Sequence, residues 1–115
     1  MENVKKTSLG MDENIEAALS YLLWVITGIL FFVLEKESKF VKFHAMQSIA
    51  VSIALFVINI VLGIILSITI IGLMLFPLIY LIEVILWIFL MYKAYKGEKY
   101  MLPVVGEIAE KQVQQ

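Results

Sequence analysis

Residues 45–66 read AMQSIAVSIALFVINIVLGIIL, a stretch of twenty-two residues without a charged side chain. A helix of this length rises about 1.5 Å per residue and covers roughly 33 Å, enough to cross the hydrocarbon core of a bilayer. A backbone in hydrocarbon must satisfy its own hydrogen bonds, and a continuous apolar run does not resemble the alternating strands of a membrane barrel. The stretch therefore predicts a membrane-spanning α-helix.

Two further apolar segments flank this stretch. Residues 17–34 are uncharged, and residues 73–92 contain one charge, Glu83. Residues 67–72 are a convenient place for the chain to reverse direction, because they contain a glycine. The sequence predicts an all-α fold: a transmembrane helical bundle of three spanning helices, over about 17–34, 45–66 and 73–92, within a membrane domain of residues 17–95.

Polar segments precede and follow the membrane domain. Residues 1–16 are polar and lack the basic start, short apolar run and cleavage site of a secretory signal, so we expect the first apolar segment to stay in the mature protein. Residues 96–115 include Gly97, a natural helix terminator, and three apolar side chains that share a face within residues 104–108. This tail predicts a short C-terminal helix lying in the membrane interface.

The composition narrows the possible functions. The chain is 62% apolar, and its nine lysines and ten carboxylates leave a net charge of -1, so no dense basic surface is available for nucleic acid. Without cysteine and with one histidine, the sequence offers no thiol nucleophile and no multi-histidine metal site. We therefore expect no cofactor, no metal, no nucleic-acid partner and no enzymatic activity. The expected surroundings are the lipid bilayer and other membrane proteins.

The lysines predict an orientation. With three spans, the N-terminus and the 67–72 turn share one side with Lys5 and Lys6, whereas the 35–43 connection and the C-terminal tail share the other side with seven lysines. Lysine-rich loops stay in the cytoplasm. The sequence therefore predicts a multi-pass protein of the plasma membrane with residues 35–43 and the C-terminus in the cytoplasm and the N-terminus outside.

Polar side chains recur within the predicted spans. A wheel at about 100° per residue places small and polar side chains on one arc of the first span and one arc of the second, and we expect these two faces to meet. Such faces let helices approach closely and form hydrogen bonds worth about 0.6 to 2 kcal/mol each. Packing is the plainer interpretation, and a groove lined by water or substrate is the alternative. The intramembrane polar positions are Thr27, Ser48, Ser52, Asn59 and Glu83.

Glu83 is the one formal charge inside a predicted span. It lies about 15 Å before Lys93 along a helix, close to the middle of the bilayer. Burying an ionised carboxylate there costs at least about 2.5 kcal/mol, so we expect Glu83 to be protonated, hydrogen-bonded or in contact with water. The partners predicted at the same depth are Ser52, Thr27 and Trp24. Structural support, a proton or cation role and a contact between subunits are the three open interpretations.

The segments FVKFHAMQS, residues 40–48, and AYKGEKYMLPVVGEIAE, residues 94–110, together resemble a known family. They are similar to the small membrane proteins grouped with the Tic-twenty subunit of chloroplast protein import, which include MamF-like magnetosome membrane proteins and many bacterial and archaeal members. The resemblance implies a helical bundle without enzymatic activity. The plant relative has four spans and both termini on one side, whereas three spans are counted here.

Four positions match the family pattern, namely His44, Gln47, Pro103 and Gly106. The resemblance implies that they are interface and turn residues. His44 follows Phe43 at the point where the second span leaves the aqueous boundary, so we expect its ring to anchor the helix there. A metal site would need further ligands at helical or hairpin spacing, and the sequence has none.

Two functions fit these observations. The first is a scaffold or a translocation-related subunit that works through contacts between helices, in a homo-oligomer or with other membrane proteins. The alternative is a minimal channel or carrier for a proton, ion or small solute, which would use Glu83 and Asn59 and would need an oligomer to enclose a pore. An enzyme is disfavoured because no span carries a nucleophile with a base, a pair of carboxylates or a set of metal ligands.

Overall fold

The regular secondary structure in the described part of the chain is helical. A computed structural model describes residues 5–114, in which the regular structure consists of six helices and one isolated bridge between Lys6 and Asp12. The prediction of an all-α fold is confirmed. The helices are α1 (Glu13–Leu19), α2 (Val25–Leu34), α3 (Lys39–Leu66), α4 (Ile70–Met74), α5 (Phe76–Tyr95) and α6 (Val105–Gln114).

Two stretches are long and apolar enough to cross a bilayer. They are α3, with 28 residues, and the run Ile70–Tyr95 of α4 and α5, with 26 residues. Their large apolar side chains point outward: Phe56, Ile64 and Ile82 expose 67%, 66% and 58% of their surface. A core helix of a soluble protein would bury such side chains, so this exposure indicates contact with lipid.

The turn between these two stretches lies where the sequence predicts it. Helix α3 ends at Leu66 and α4 begins at Ile70, after Thr69, whose side chain accepts a hydrogen bond from the backbone N–H of Gly72. Helix α5 then begins with Pro77 in its first turn, where a missing N–H removes no helical hydrogen bond.

The first apolar segment differs from its prediction, because residues 17–34 do not form one spanning helix. Helix α1 has 7 residues and α2 has 10, so they cover roughly 10 and 15 Å. Between them the chain breaks at residues 20–24, where Trp24 has a φ of 53°. Within residues 5–114, two helical stretches are therefore long enough to span the membrane, instead of the three that were predicted.

Helices α1 and α2 form a hairpin, because the start of one and the end of the other reach the same residue. The Ser38 hydroxyl donates to the Glu13 carboxylate at the start of α1. The Ser38 backbone N–H donates to Glu35 Oε2, just after α2, at 2.8 Å. The tip of the hairpin, residues 20–24, lies beside Ser48, roughly 14 Å along α3. We call α1, α2 and this tip the short hairpin.

Side chains add hydrogen bonds to the carbonyls of the tip, beside the backbone bonds that Trp24 N donates to Tyr21 O at 3.2 Å and Gly28 N donates to Trp24 O at 2.9 Å. An unpaired carbonyl in hydrocarbon costs several kcal/mol, so irregular backbone at membrane depth needs protein partners. One donor comes from α2, one from α5 and one from α3: Thr27 Oγ1 to Ser20 O at 3.0 Å, Trp87 Nε1 to Tyr21 O at 2.8 Å and Ser48 Oγ to Trp24 O at 2.9 Å. These contacts hold the short hairpin between α3 and α5.

The N-terminal segment lies at the same end of the molecule as residues 35–38 and the end of α5. Ser8 N donates to Glu35 Oε2 at 3.3 Å, and Asn14 Nδ2 donates to Tyr95 O at 2.8 Å. The prediction that the N-terminus lies opposite the 35–43 connection is therefore wrong. Because the short hairpin turns back, all nine lysines lie at this end, which we call the polar end.

The core also lies at the polar end. Buried apolar residues there include Ala17, Tyr21 and Val41. Between residues 52 and 89, by contrast, Gly72 is the only residue that the structure describes as buried. The far halves of α3 and α5 therefore have little packing of their own, and we call them the two arms.

Glycine at position 28 permits the close contact of α2 with α3. A Cβ there would lie 2.9 Å from Ala45 O and 3.0 Å from Ile49 Cγ1. This contact confirms the prediction that the small and polar faces of the first two apolar segments meet, over the first half of α3.

We predict that Gly28→Ala destabilises the protein by about 1–3 kcal/mol, because the added methyl overlaps a backbone oxygen that cannot move freely. The matched control is Gly63→Ala in α3, where the methyl would meet nothing within 4 Å. The measurement is thermal unfolding in detergent, followed by helical circular dichroism. Equal midpoints for the two variants would contradict the close α2–α3 contact.

Candidate functional site in the membrane and the polar network beside it

A polar pair joins the two arms. Asn59 Nδ2 on α3 donates to Glu83 Oε1 on α5 at 3.2 Å, and both side chains are half-buried. Among residues 5–114 it is the one side-chain hydrogen bond between these helices. Asn59 lies seven residues before the end of α3, and Glu83 lies seven residues after the start of α5.

This pairing corrects one prediction. Glu83 was expected to bond with Ser52, Thr27 or Trp24, and the structure gives Asn59 instead. Ser52 and Thr27 instead donate their hydroxyls to backbone carbonyls. Ser52 donates to Ser48 O at 2.7 Å, and Thr27 donates to the tip of the short hairpin. Ser48 likewise donates to the tip, so these three predicted positions support the backbone.

Two clefts flank the polar pair, and both are bordered by Trp24 and Glu83. One has a volume of about 170 Å³ and the other of about 210 Å³. The remaining lining residues are Tyr80, Val84 and Trp87 in the first cleft and Ser52, Leu55, Phe56 and Asn59 in the second. A carboxyl and an amide in such an apolar setting can hold a proton or a cation, or bond to a polar group of another helix.

A second polar cluster, the polar network, is fully buried at the polar end. Its members are Tyr21 of the short hairpin with His44 and Gln47 of α3. The Tyr21 hydroxyl lies 2.7 Å from His44 Nδ1 and accepts a hydrogen bond from Gln47 Nε2 at 2.9 Å. His44 also packs edge-on against Phe40 and Phe43.

The network fastens the segment between α5 and α6 onto α3. His44 Nε2 lies 3.0 Å from Glu98 O, and a carbonyl can only accept, so Nε2 carries the proton and Nδ1 accepts from Tyr21. Gln47 Nε2 donates to Tyr100 O at 2.9 Å, and Gln47 Oε1 accepts from Leu102 N at 3.1 Å. Each polar group of the three side chains thus has a partner, as buried polar groups require.

Three of the four family-pattern positions meet in this cluster. A Cβ at Gly106 would lie 2.7 Å from Met101 Cα and 2.9 Å from Gln47 Oε1, so α6 can approach α3 here only with glycine. Pro103 is exposed and lies just before Gly106 in sequence. Its carbonyl accepts a hydrogen bond from Val105 N at 2.7 Å. His44 was expected to anchor the helix at the aqueous boundary; its ring is completely buried and bonds to Tyr21 and to the Glu98 carbonyl.

The sequence prediction missed Tyr21. It lies inside an apolar segment, and a buried tyrosine hydroxyl usually finds a hydrogen-bond partner, which was the available signal. The sequence also gives no sign that the carboxyls of Glu16 and Glu35 are buried. Their contacts depend on the N-terminal segment folding back, which the sequence pattern does not show.

We predict that Gln47→Leu loosens residues 98–106 while α3 and α5 keep their structure. The leucine fills a similar volume but leaves Leu102 N and Tyr100 O without their partner, at a cost of about 1–3 kcal/mol. The measurement is hydrogen exchange of the 98–106 amides, with the exposed Gln112→Leu as the control. Unchanged protection in the Gln47 variant would show that the network does not hold this segment.

Comparisons with known proteins agree with these features. Residues 8–109 match the magnetosome magnetite crystal formation protein family. The chain is 63% identical over 105 residues to a UPF0132 membrane protein of Methanocaldococcus jannaschii, covering 91% of this chain and 92% of that protein. It is 52% identical over 103 residues to a UPF0132 membrane protein of Archaeoglobus fulgidus, covering 90% and 97%. No solved structure matches the chain significantly.

These matches confirm the MamF-like part of the resemblance. The match covers the short hairpin, both arms, the polar network and the first half of α6. The relatives carry the name of membrane proteins, in agreement with the outward-facing apolar side chains of α3 and α5. The chain therefore belongs to the magnetosome magnetite crystal formation protein family.

Proposed function

We propose that the protein is a non-enzymatic membrane scaffold that works through helix contacts inside the bilayer, chiefly with further copies of itself. The observation that carries this function is the contrast between the packed polar end and the two arms. The arms expose large apolar side chains, and Asn59 and Glu83 are the polar link between them. A half-buried polar pair facing lipid is costly, and a neighbouring helix removes that cost.

We infer a topology of two crossings and one re-entrant hairpin. Helix α3 and the run Ile70–Tyr95 cross the bilayer, whereas the short hairpin enters from the polar end and returns to it. The positive-inside rule then places the polar end, with all nine lysines, in the cytoplasm of a plasma-membrane protein. Both termini lie there, and the turn at residues 67–69 lies outside.

The relation to the Tic-twenty subunit and a part in protein translocation stay predictions. The short hairpin supplies two helical segments and the two arms supply two more, with residues 5–12 and α6 at one end. This arrangement supports a link to a relative with four spans. The family's name refers to magnetite, whereas residues 5–114 contain no group of three or more His, Cys, Asp or Glu that could hold a metal ion.

A second candidate function is a minimal proton or ion pathway. It is favoured by one observation, the two clefts that share Glu83 and Trp24 beside the polar pair. Clefts of about 170 and 210 Å³ do not form a pore through one copy. Several copies would have to bring their Asn59 and Glu83 side chains together along one axis.

We predict that single cysteines report the inferred topology. The chain has no cysteine, so Leu9→Cys, Lys36→Cys and Ser67→Cys each introduce one thiol. In intact cells an impermeant maleimide should label Ser67→Cys and should label the other two only after lysis. Labelling of Leu9→Cys in intact cells would contradict the re-entrant hairpin and restore a third crossing.

We predict that the polar pair lies at a contact between copies. Phe56→Cys, beside Asn59, should form a disulfide dimer in liposomes at several times the yield of Ile26→Cys, which is similarly exposed on the outer face of α2. Adding Glu83→Leu to Phe56→Cys should lower that yield severalfold. Equal yields at positions 56 and 26 would contradict an ordered contact.

The same liposomes distinguish the second candidate function. A scaffold leaves the membrane tight, so wild type and Glu83→Gln should give the same proton and potassium flux. A flux that wild type shows and Glu83→Gln abolishes, while the control Glu107→Gln retains it, would establish the pathway instead. Glu107 is an exposed residue of α6 and lies far from the polar pair.

A further inference from the structure

Two carboxyl groups are buried together at the polar end. Glu16 of α1 and Glu35, which follows α2, are both 0% exposed. Residues 5–12, which we call the strap, cover them. The Thr7 hydroxyl of the strap donates to Glu16 Oε1, and Ser8 N donates to Glu35 Oε2 at 3.3 Å. The strap is further tied down where Lys36 N donates to Ser8 Oγ at 3.0 Å.

Each carboxyl has one satisfied and one unsatisfied oxygen. Glu35 Oε2 accepts three backbone N–H groups, from Ser8, Glu37 and Ser38. Glu35 Oε1 and Glu16 Oε2 are buried and have no hydrogen-bond partner other than the opposite carboxyl. Two carboxylate oxygens cannot bond to each other without a proton between them, because both only accept.

We propose that Glu16 and Glu35 form a binding site for a single proton, and that this proton holds the strap closed over α1 and the start of α3. With the proton present, one carboxyl donates to the other and both remaining oxygens are satisfied. Without it, two negative charges lie side by side away from water, and repulsion favours release of the strap. The site is separate from the intramembrane pair of Asn59 and Glu83.

The charged groups around the pair do not replace the proton. On α1, Glu13 adds a further negative charge and is engaged by the Ser38 hydroxyl. In the strap, Lys6 pairs with Asp12. Lys5, Glu37 and Lys39 line a cavity of about 530 Å³ at the surface beside the strap, and α5 contributes the Tyr95 carbonyl, which accepts from Asn14. Within residues 5–114 no ion pair joins a lysine to Glu16 or Glu35.

The ionisation of the two groups agrees with a shared proton. Burial, with the neighbouring carboxyls of Glu35 and Glu13, raises the pKa of Glu16 from 4.5 to about 7, although the hydrogen bond from Thr7 acts in the opposite direction. Burial also raises the pKa of Glu35, but the N–H groups of Ser38 and Glu37, with Glu16, outweigh this and hold that pKa at about 2. At neutral pH and below, the proton therefore resides on Glu16.

The sign of the pH effect follows from these values. The closed strap binds the proton with a pKa of about 7, whereas an exposed glutamate has a pKa of 4.5. Closure therefore takes up one proton between these two values, and its equilibrium constant falls by up to about tenfold per pH unit there. Closure is strongest below about pH 4.5 and weakest above about pH 7. Glu35 contributes in the opposite direction only below pH 4.5.

The test is hydrogen exchange of residues 7–11 in nanodiscs, with protection corrected for the intrinsic pH dependence of exchange. In wild type, protection of the strap should fall as pH rises from about 4.5 to about 7 and then level off. Glu16→Gln should keep the strap protected over this whole range, because an amide donates to Glu35 without a titrating proton. The control Glu37→Gln, at an exposed side chain, should behave like wild type.

A second measurement keeps the outcome decisive if Glu16→Gln does not fold. Infrared spectra of wild type at about pH 6 should show a protonated carboxyl that is lost as pH rises through about 7 and that persists in Glu83→Gln. Absence of this carboxyl would overturn the shared proton. Strap protection that stays constant with pH would also overturn it. A change produced by sodium chloride at constant pH would show that a cation occupies the pair instead.

Discussion

The hydrogen bonds that side chains donate to the tip at residues 20–24 constrain the whole arrangement. Irregular backbone at membrane depth needs protein partners, and here α2, α3 and α5 each add one side-chain donor. The donors Ser48 and Trp87 lie on the two long helices, so the tip holds both in place at once. Because the short hairpin turns back at this depth, it brings the N-terminal segment to the polar end and leaves the far halves of the long helices uncovered.

Local signals were sufficient to predict the two long helices and their turn. An apolar run in each case and a glycine within residues 67–72 were the signals, and they act within a few residues. The break at residues 20–24 could not be predicted in this way. Residues 17–34 carry no charge, and hydropathy does not show where a chain changes direction. The partners of the break, Ser48 and Trp87, are 24 and 66 residues away in sequence. Ser20 and Thr27 were the local hints.

The candidate site shows the same division between local and distant information. Asn59 and Glu83 were recognised as intramembrane polar residues from sequence, but their pairing was not. Depth was counted from the lysine-rich end, and that count placed Ser52 rather than Asn59 level with Glu83. The burial of His44 was not predicted either, because it depends on residues 98–102, which return to α3 from the far end of the sequence.

The uncharged turn at residues 67–69 has a consequence for how the protein enters the membrane. Between residues 45 and 92 the chain carries one charge, Glu83, and the turn itself consists of Ser67, Ile68 and Thr69. In the proposed topology, insertion of α3 and α5 as a pair moves no lysine and no soluble domain through the hydrocarbon layer. In that topology the translocated portion is three residues long, and the main cost of assembly is the desolvation of one carboxyl and one amide.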